Sequence, residues 1–140
     1  MRLVVDASVA VKWFLPEIHS QAASHLLNGG FELMAPDLIW SELGNVLWKR
    51  WRRRELTREA ASEILRDFNR YPLRIVRSGP ILDDTWRLAS TLNRSFYDSV
   101  YLALAEKQKC ALVTADLNFF NALKDSRFLA SMIWVEEIKE

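Results

Sequence analysis

Four carboxylates in this sequence sit beside or within apolar runs, where a charge calls for an explanation. Asp6 closes the apolar run Leu3-Val4-Val5, and Asp116 follows Ala111-Leu112-Val113-Thr114 and Ala115. Each lies between a strand-like run and a helical one, so each also suits a helix cap. Glu42 is set in Leu38-Ile39-Trp40-Ser41-Glu42-Leu43-Gly44-Asn45-Val46-Leu47. A carboxylate among so many apolar neighbours is costly without a partner. The alternative is that this edge of the helix meets solvent. Asn45, three residues on, shares the face of Glu42. Asp98 heads Ser99-Val100-Tyr101-Leu102-Ala103-Leu104-Ala105, a nearly all-apolar helix, where the local reading is an N-cap. If the fold gathers these acids, they repel one another and at least one pKa rises. A hard divalent cation with oxygen ligands relieves that repulsion. Beside a phosphodiester it also screens the phosphate and acidifies a bound water.

The elements that must position them can be read from the patterning. Leu3-Val4-Val5 reads as a buried strand, Ser8 to Leu15 as a short helix, and Pro16 to Leu27 as another, closed by Gly29-Gly30. Phe31 to Met34 is a second strand, and Pro36 opens a long helix to about Arg53. Thr57 caps a helix that runs to about Tyr71. Leu73 to Val76 is a third strand, Ile81 to Leu92 and Ser99 to Lys107 are helices, Ala111 to Thr114 is a fourth strand, and Met132 to Val135 is a fifth. Short apolar strands separated by helices predict an α/β fold with a parallel sheet covered on its faces. Sites in such sheets form outside the carboxyl ends of the strands, which places Asp6 and Asp116 at one edge.

Other chemistries find little support. The 140 residues suit one domain over 1–140. The net charge of +1 does not by itself announce nucleic acid. Cys110, the single cysteine, cannot form an internal disulfide and reads as structural, and a cytoplasmic location is favoured. Asp6 and Lys12 interrupt the apolar start, so it is not read as a signal peptide, and no apolar run has membrane-spanning length. His19 and His25 are six apart, off the i,i+4 spacing of helical metal ligands, and are expected at the surface. There is no glycine-rich phosphate loop. A receiver domain would need an acceptor Asp after a middle strand, but these strands end in Ala35-Pro36 and Arg77-Ser78. A haloacid-dehalogenase-like phosphatase would need Asp where Ser8 stands.

The run Trp48-Lys49-Arg50-Trp51-Arg52-Arg53-Arg54 is either a solvated, dipole-complementing helix end or an edge that grips phosphates. Trp48 and Trp51 suit base stacking, a protein partner or the core, while core packing is expected for Trp13, Trp86 and Trp134.

The ordered set of local patterns resembles the PIN-domain family. It comprises an Asp closing the first strand with Ser8 two residues on, Ser41-Glu42-x-x-Asn45, Tyr97-Asp98-x-x-Tyr101-Leu102-Ala103-Leu104-Ala105, and Thr114-x-Asp116. Length and layout look like the VapC-type toxins of toxin–antitoxin modules. The resemblance implies a three-layer α/β/α sandwich around a parallel sheet of about five strands. It also implies an acidic site of Asp6, Glu42, Asp98 and Asp116, in which Asp6, Asp98 and Asp116 hold Mg²⁺ or Mn²⁺. Ser8, Asn45 and Thr114 would support that site. Lys49, Arg50, Trp51, Arg52 and Arg53 would meet RNA or a partner. The implied activity is a metal-dependent endoribonuclease, with a cognate antitoxin and a homodimer as expected partners. A PIN-like binding module with little turnover, or an RNA-processing or DNA-directed nuclease, is the alternative. Some family members carry a further acid after the last motif. Here Leu117, Asn118, Phe119, Phe120 and Asn121 follow, so any second metal site is expected to be weak.

Overall fold

The structure, a computed structural model, describes residues 1–138. Five strands form one sheet: β1 (Arg2–Val5), β2 (Glu32–Pro36), β3 (Leu73–Val76), β4 (Ala111–Thr114) and β5 (Met132–Trp134). Their order is β3-β2-β1-β4-β5 and every pairing is parallel. The chain builds outward from β1 to one side and then returns to the other. The switch point therefore lies between β1 and β4, where ligand crevices form in open α/β sheets. Leu3, Val4 and Val5 are completely buried, as are Leu112 and Val113, which is why these strands are uninterrupted apolar runs.

The helices are α1 (Ala7–Ala10), α2 (Ser20–Asn28), α3 (Leu38–Arg52), α4 (Arg58–Phe68), α5 (Leu82–Leu92), α6 (Phe96–Gln108) and α7 (Leu117–Ala122). Together with the sheet they give the expected three-layer α/β/α arrangement. Every residue of α6 from Ser99 to Ala105 is buried, so over this stretch the helix has no face open to solvent. Thr57 caps α4 through a hydrogen bond to its Oγ1 from the Ala60 amide. Among the described residues, no helix is long and apolar enough to cross a membrane.

Several boundaries differ from those read in the sequence. Pro36 closes β2 opposite Val76 instead of opening a helix, because its fixed φ suits an extended strand end as well as a first helical turn. Helix α3 then starts at Leu38 after Asp37, whose carboxylate accepts a hydrogen bond from Ser78. Pro16 does not start a helix either. Residues 16–19 form a turn in which Ser20 Oγ accepts from the Glu17 amide (2.9 Å), and His19 takes a left-handed conformation (φ 68°) before α2 begins. Helix α1 is a single turn continued by a 3₁₀ turn over Val11–Trp13. Helix α4 ends at Phe68, which frees Tyr71 to pack on Trp13 and Phe14.

Candidate active site

Asp6 occupies the N-cap position of α1 but makes no side-chain cap. Its carboxylate turns toward β4 instead, where Oδ2 accepts hydrogen bonds from Ser8 Oγ (2.7 Å) and Thr114 Oγ1 (2.9 Å). Ser8 Oγ in turn accepts from the Ala115 amide (3.0 Å), and Thr114 Oγ1 from the Asp116 amide (3.1 Å). A two-hydroxyl bracket thus ties the ends of β1 and β4 together around one carboxylate. Asp6 is 6% exposed. Burial is the main reason its pKa rises to about 6. The two hydroxyls pull it back down, and the charges of Asp98 and Asp116 add to the rise.

Glu42 enters from α3. Its pKa rises to about 7, first through burial and then through the charges of Asp6 and Asp98. Its Oε1 is buried and has no hydrogen-bond partner. The Tyr101 phenol of α6 lies beside it, outside good hydrogen-bond geometry, and burial together with the Asp6 and Glu42 charges pushes that phenol well above its usual pKa. A cleft of about 450 Å³ opens over Glu42, lined also by Leu38, Ser41, Asn45 and Tyr97.

Asp98 lies inside the first turn of α6, not at its cap. Ser95 is the N-cap and accepts from the Asp98 amide (3.1 Å), because the helix starts a turn earlier than the apolar run alone implies. The Asp98 carboxylate is therefore available for other contacts, and its Oδ2 accepts from Arg94 Nη2 at 2.8 Å. Asp116 makes the cap foreseen for it. It stands at the strand end and caps α7, its Oδ1 accepting from the Phe119 amide (3.1 Å).

The acids thus face one another closely enough for their charges to couple. Their all-oxygen donor chemistry, the mutual repulsion and the orphaned Glu42 oxygen suit a hard divalent cation. Among the described residues, however, no three Asp, Glu, His or Cys side chains are yet drawn tightly enough to enclose an ion.

Comparisons with known proteins show the family and the fold. Residues 3–124 match the family described as PIN domain. The chain belongs to the PIN-domain family. A relative named ribonuclease VapC3, from Pyrobaculum aerophilum, is 36% identical over 118 residues, covering 83% of this chain and 90% of the relative. The crystal structure of PAE2754, also from Pyrobaculum aerophilum, superposes with a TM-score of 0.73 at 27% identity, over 97% of this chain and 85% of that one. A toxin–antitoxin complex from Klebsiella pneumoniae shares the fold at a TM-score of 0.66 and 14% identity, over 97% of this chain and 99% of that one.

Within this PIN fold, Asp6, Ser8, Thr114 and Asp116 cluster at the switch point, and Glu42 and Asp98 face them. Asn45 is exposed one turn beyond Glu42. The basic run does not act as one unit. Arg50 is committed to the fold through ion pairs to Glu17 and, at 3.5 Å, to Glu55. Arg52 lies over the Trp48 ring (5.0 Å), and Lys49, Trp51, Arg52 and Arg53 are exposed. Trp86 is 66% exposed, against the core position expected for it, because it lies on the outer side of α5. Trp13 and Trp134 are half-buried, with indole nitrogens bonded to Ala23 O and Glu136 Oε1. His19 is half-buried rather than at the surface, edge-on to Trp134 and 3.5 Å from Glu136. The sequence reading missed Arg94. Its signal was a basic residue four positions before Asp98; the pair meets because Arg94 sits in the turn just ahead of the Ser95 cap and reaches forward to the first turn of α6.

Proposed function

We propose that this chain is a metal-dependent endoribonuclease of the VapC kind, the toxin of a toxin–antitoxin pair, with Asp6, Glu42, Asp98 and Asp116 as its acidic site. The observation that carries this is the coupling of Asp6 and Glu42, two carboxylates with raised pKa values, at the switch point of a PIN fold. A pure binder of phosphate gains nothing from four negative charges, whereas a cation-assisted hydrolase needs them. The relative named as a ribonuclease supports the activity, and the neighbour described as a toxin–antitoxin complex supports the partner.

In this reading Asp6, Asp98 and Asp116 would hold Mg²⁺ or Mn²⁺. When bound, that ion would screen the phosphate and lower the pKa of a water. Ser8 and Thr114 keep Asp6 aimed toward β4. Glu42, with a pKa near neutrality, is suited to take a proton from the attacking water and return it to solvent. Asn45 orients that carboxylate or a water. Attack by water on phosphorus with departure of the 3′-oxygen leaves 5′-phosphate and 3′-hydroxyl ends. Lys49, Arg52 and Arg53 supply phosphate contacts and Trp51 a stacking surface. The exposed Trp40, Trp48 and Trp51 of α3 offer apolar area to an antitoxin, and the exposed Leu82, Trp86, Phe96 and Tyr97 offer it to a second copy.

The test is cleavage of end-labelled RNA by the purified chain with Mn²⁺, with excess chelator, and by Asp6→Asn. Cleavage is expected only with metal and only in the unaltered chain, with 5′-phosphate products. Equal cleavage in chelator, or none with Mg²⁺ or Mn²⁺ on structured and unstructured RNA alike, overturns the proposal.

A further inference from the structure

One cation already stands beside one of the four acids, Asp98. Asn93 ends α5 in the left-handed conformation (φ 53°), so Arg94 and Ser95 form the turn that leads into α6. Ser95 uses its hydroxyl to cap the helix. Arg94 instead reaches one turn forward to Asp98 Oδ2, at 2.8 Å, with the two side chains only 26% and 24% exposed. Its guanidinium lies 5.6 Å from the Phe119 ring centre, between α6 and the helix that Asp116 caps. Its Nε is buried and has no hydrogen-bond partner. A buried N–H left unmet is costly, so the side chain is held there by the acid and the ring rather than by a full set of bonds.

The position matters because Asp98 is one of the expected ion ligands. A carboxylate oxygen that accepts from a guanidinium in a charge-assisted bond is not fully available to a cation. The looseness of the acidic set, in which no three donors among the described residues enclose one point, fits an Asp98 held on Arg94. We propose that Arg94 is the internal counter-ion of this site. It holds Asp98 in the metal-free protein and must yield that carboxylate when a divalent cation loads. Arg94 thereby sets the metal concentration at which the site fills. It is a positioning residue, acting through Asp98. This rests on the metal-dependent reading above and goes beyond it, because it assigns a competitor to the ion within the chain.

The experiment is calorimetric titration of Mn²⁺ alone, without RNA, into the full chain, Arg94→Gln, Arg94→Lys, Asp98→Asn and the Arg94→Gln/Asp98→Asn double variant. Arg94→Gln is expected to bind Mn²⁺ roughly two- to fivefold more tightly, the scale of one ion pair near the surface. Its metal-free melting temperature should fall, and the deficit should close when Mn²⁺ is saturating. Arg94→Lys retains the charge and should stay near the parent affinity. Should Arg94→Gln fold poorly, Arg94→Met, which keeps an aliphatic chain against the Phe119 ring without the charge, should tighten Mn²⁺ binding in its place, and parent-like affinity in it overturns the role. In the Asp98→Asn background the Gln substitution should no longer tighten binding. Unchanged or weaker Mn²⁺ binding by Arg94→Gln, while the parent chain binds the ion, overturns the counter-ion role and leaves the nuclease reading standing. Tightening that persists without the Asp98 carboxylate also overturns it, since the effect would then be a general field. Absence of Mn²⁺ binding in both parent and Arg94→Gln sinks the metal-dependent reading along with it.

Discussion

Asp6 and Glu42 differ in how their surroundings treat the charge. Two hydroxyls hold Asp6, so even when buried it keeps part of the stabilisation it had in water. Glu42 has a buried oxygen with only the poorly placed Tyr101 phenol beside it, and its pKa rises to about 7. A group whose folded pKa lies above its unfolded value binds more protons when folded, so its ionisation costs stability as pH rises. Glu42→Gln removes that cost. The variant should be more stable than the parent in chelator at pH 8, by on the order of 1 kcal/mol after allowance for partial exposure, and indistinguishable at pH 4. Chemical denaturation at both pH values checks this, and RNA cleavage should be lost. A loss of metal-free stability at pH 8 would give Glu42 a structural role instead. The four acids were conspicuous in the sequence at strand ends and in apolar helices, but each alone read equally well as a cap or a solvent-facing charge, and only the ordered set of motifs resembling the PIN family joined them. Their hydrogen bonds could not be read there. Whether Asp98 caps its helix depends on where α6 begins, and Ser95 decides that from three residues upstream.

At the level of elements, strands were easier to place than helix starts. The buried run of β4 carries its own limits in apolar residues, and β3, a half-buried edge strand with Arg74 exposed, is bounded by its apolar Leu73, Ile75 and Val76, so the expected Leu73 to Val76 and Ala111 to Thr114 match the structure. Helix starts turned on tertiary choices. Pro36 could serve either a strand end or a first turn, and pairing with β3 selected the strand. The end of α3 has a similar ambiguity, since a basic run serves the helix dipole, the fold or a ligand. The structure assigns Arg50 to Glu17 and Glu55 and leaves Lys49 and Arg53 exposed. Two distinct outcomes are expected from RNA binding against salt, measured in chelator. Lys49→Ala with Arg53→Ala should lower the salt slope by about 1, the counterion release of one or two phosphate contacts on a single strand. Arg50→Ala should leave the slope unchanged and lower the melting temperature. A slope unaltered by the double variant removes phosphate contact as the role of that helix end.

Across the whole molecule, the topology generates the site. Building the sheet outward from β1 in both directions puts the ends of β1 and β4 side by side, with Asp6 after one and Asp116 after the other. Helices α3 and α6 then bring Glu42 and Asp98 against that seam, and the chain tolerates charge crowding that a purely structural core would not. In the metal-free protein this crowding links stability to pH. Asp6 and Glu42 hold their protons to about pH 6 and 7, so the stability contributed by these two groups is full below about pH 4 and is lost as pH rises from there to about pH 7. Loading with a divalent cation must expel the same protons. The direct measurement is calorimetric titration of Mn²⁺ in two buffers of different ionisation enthalpy, at pH 6 and again at pH 8.5. Near pH 6 binding should release about one proton per ion, and near pH 8.5 almost none, with weaker apparent affinity at the lower pH. No Mn²⁺ uptake, or uptake at pH 6 without proton release, would contradict a cation held by these carboxylates.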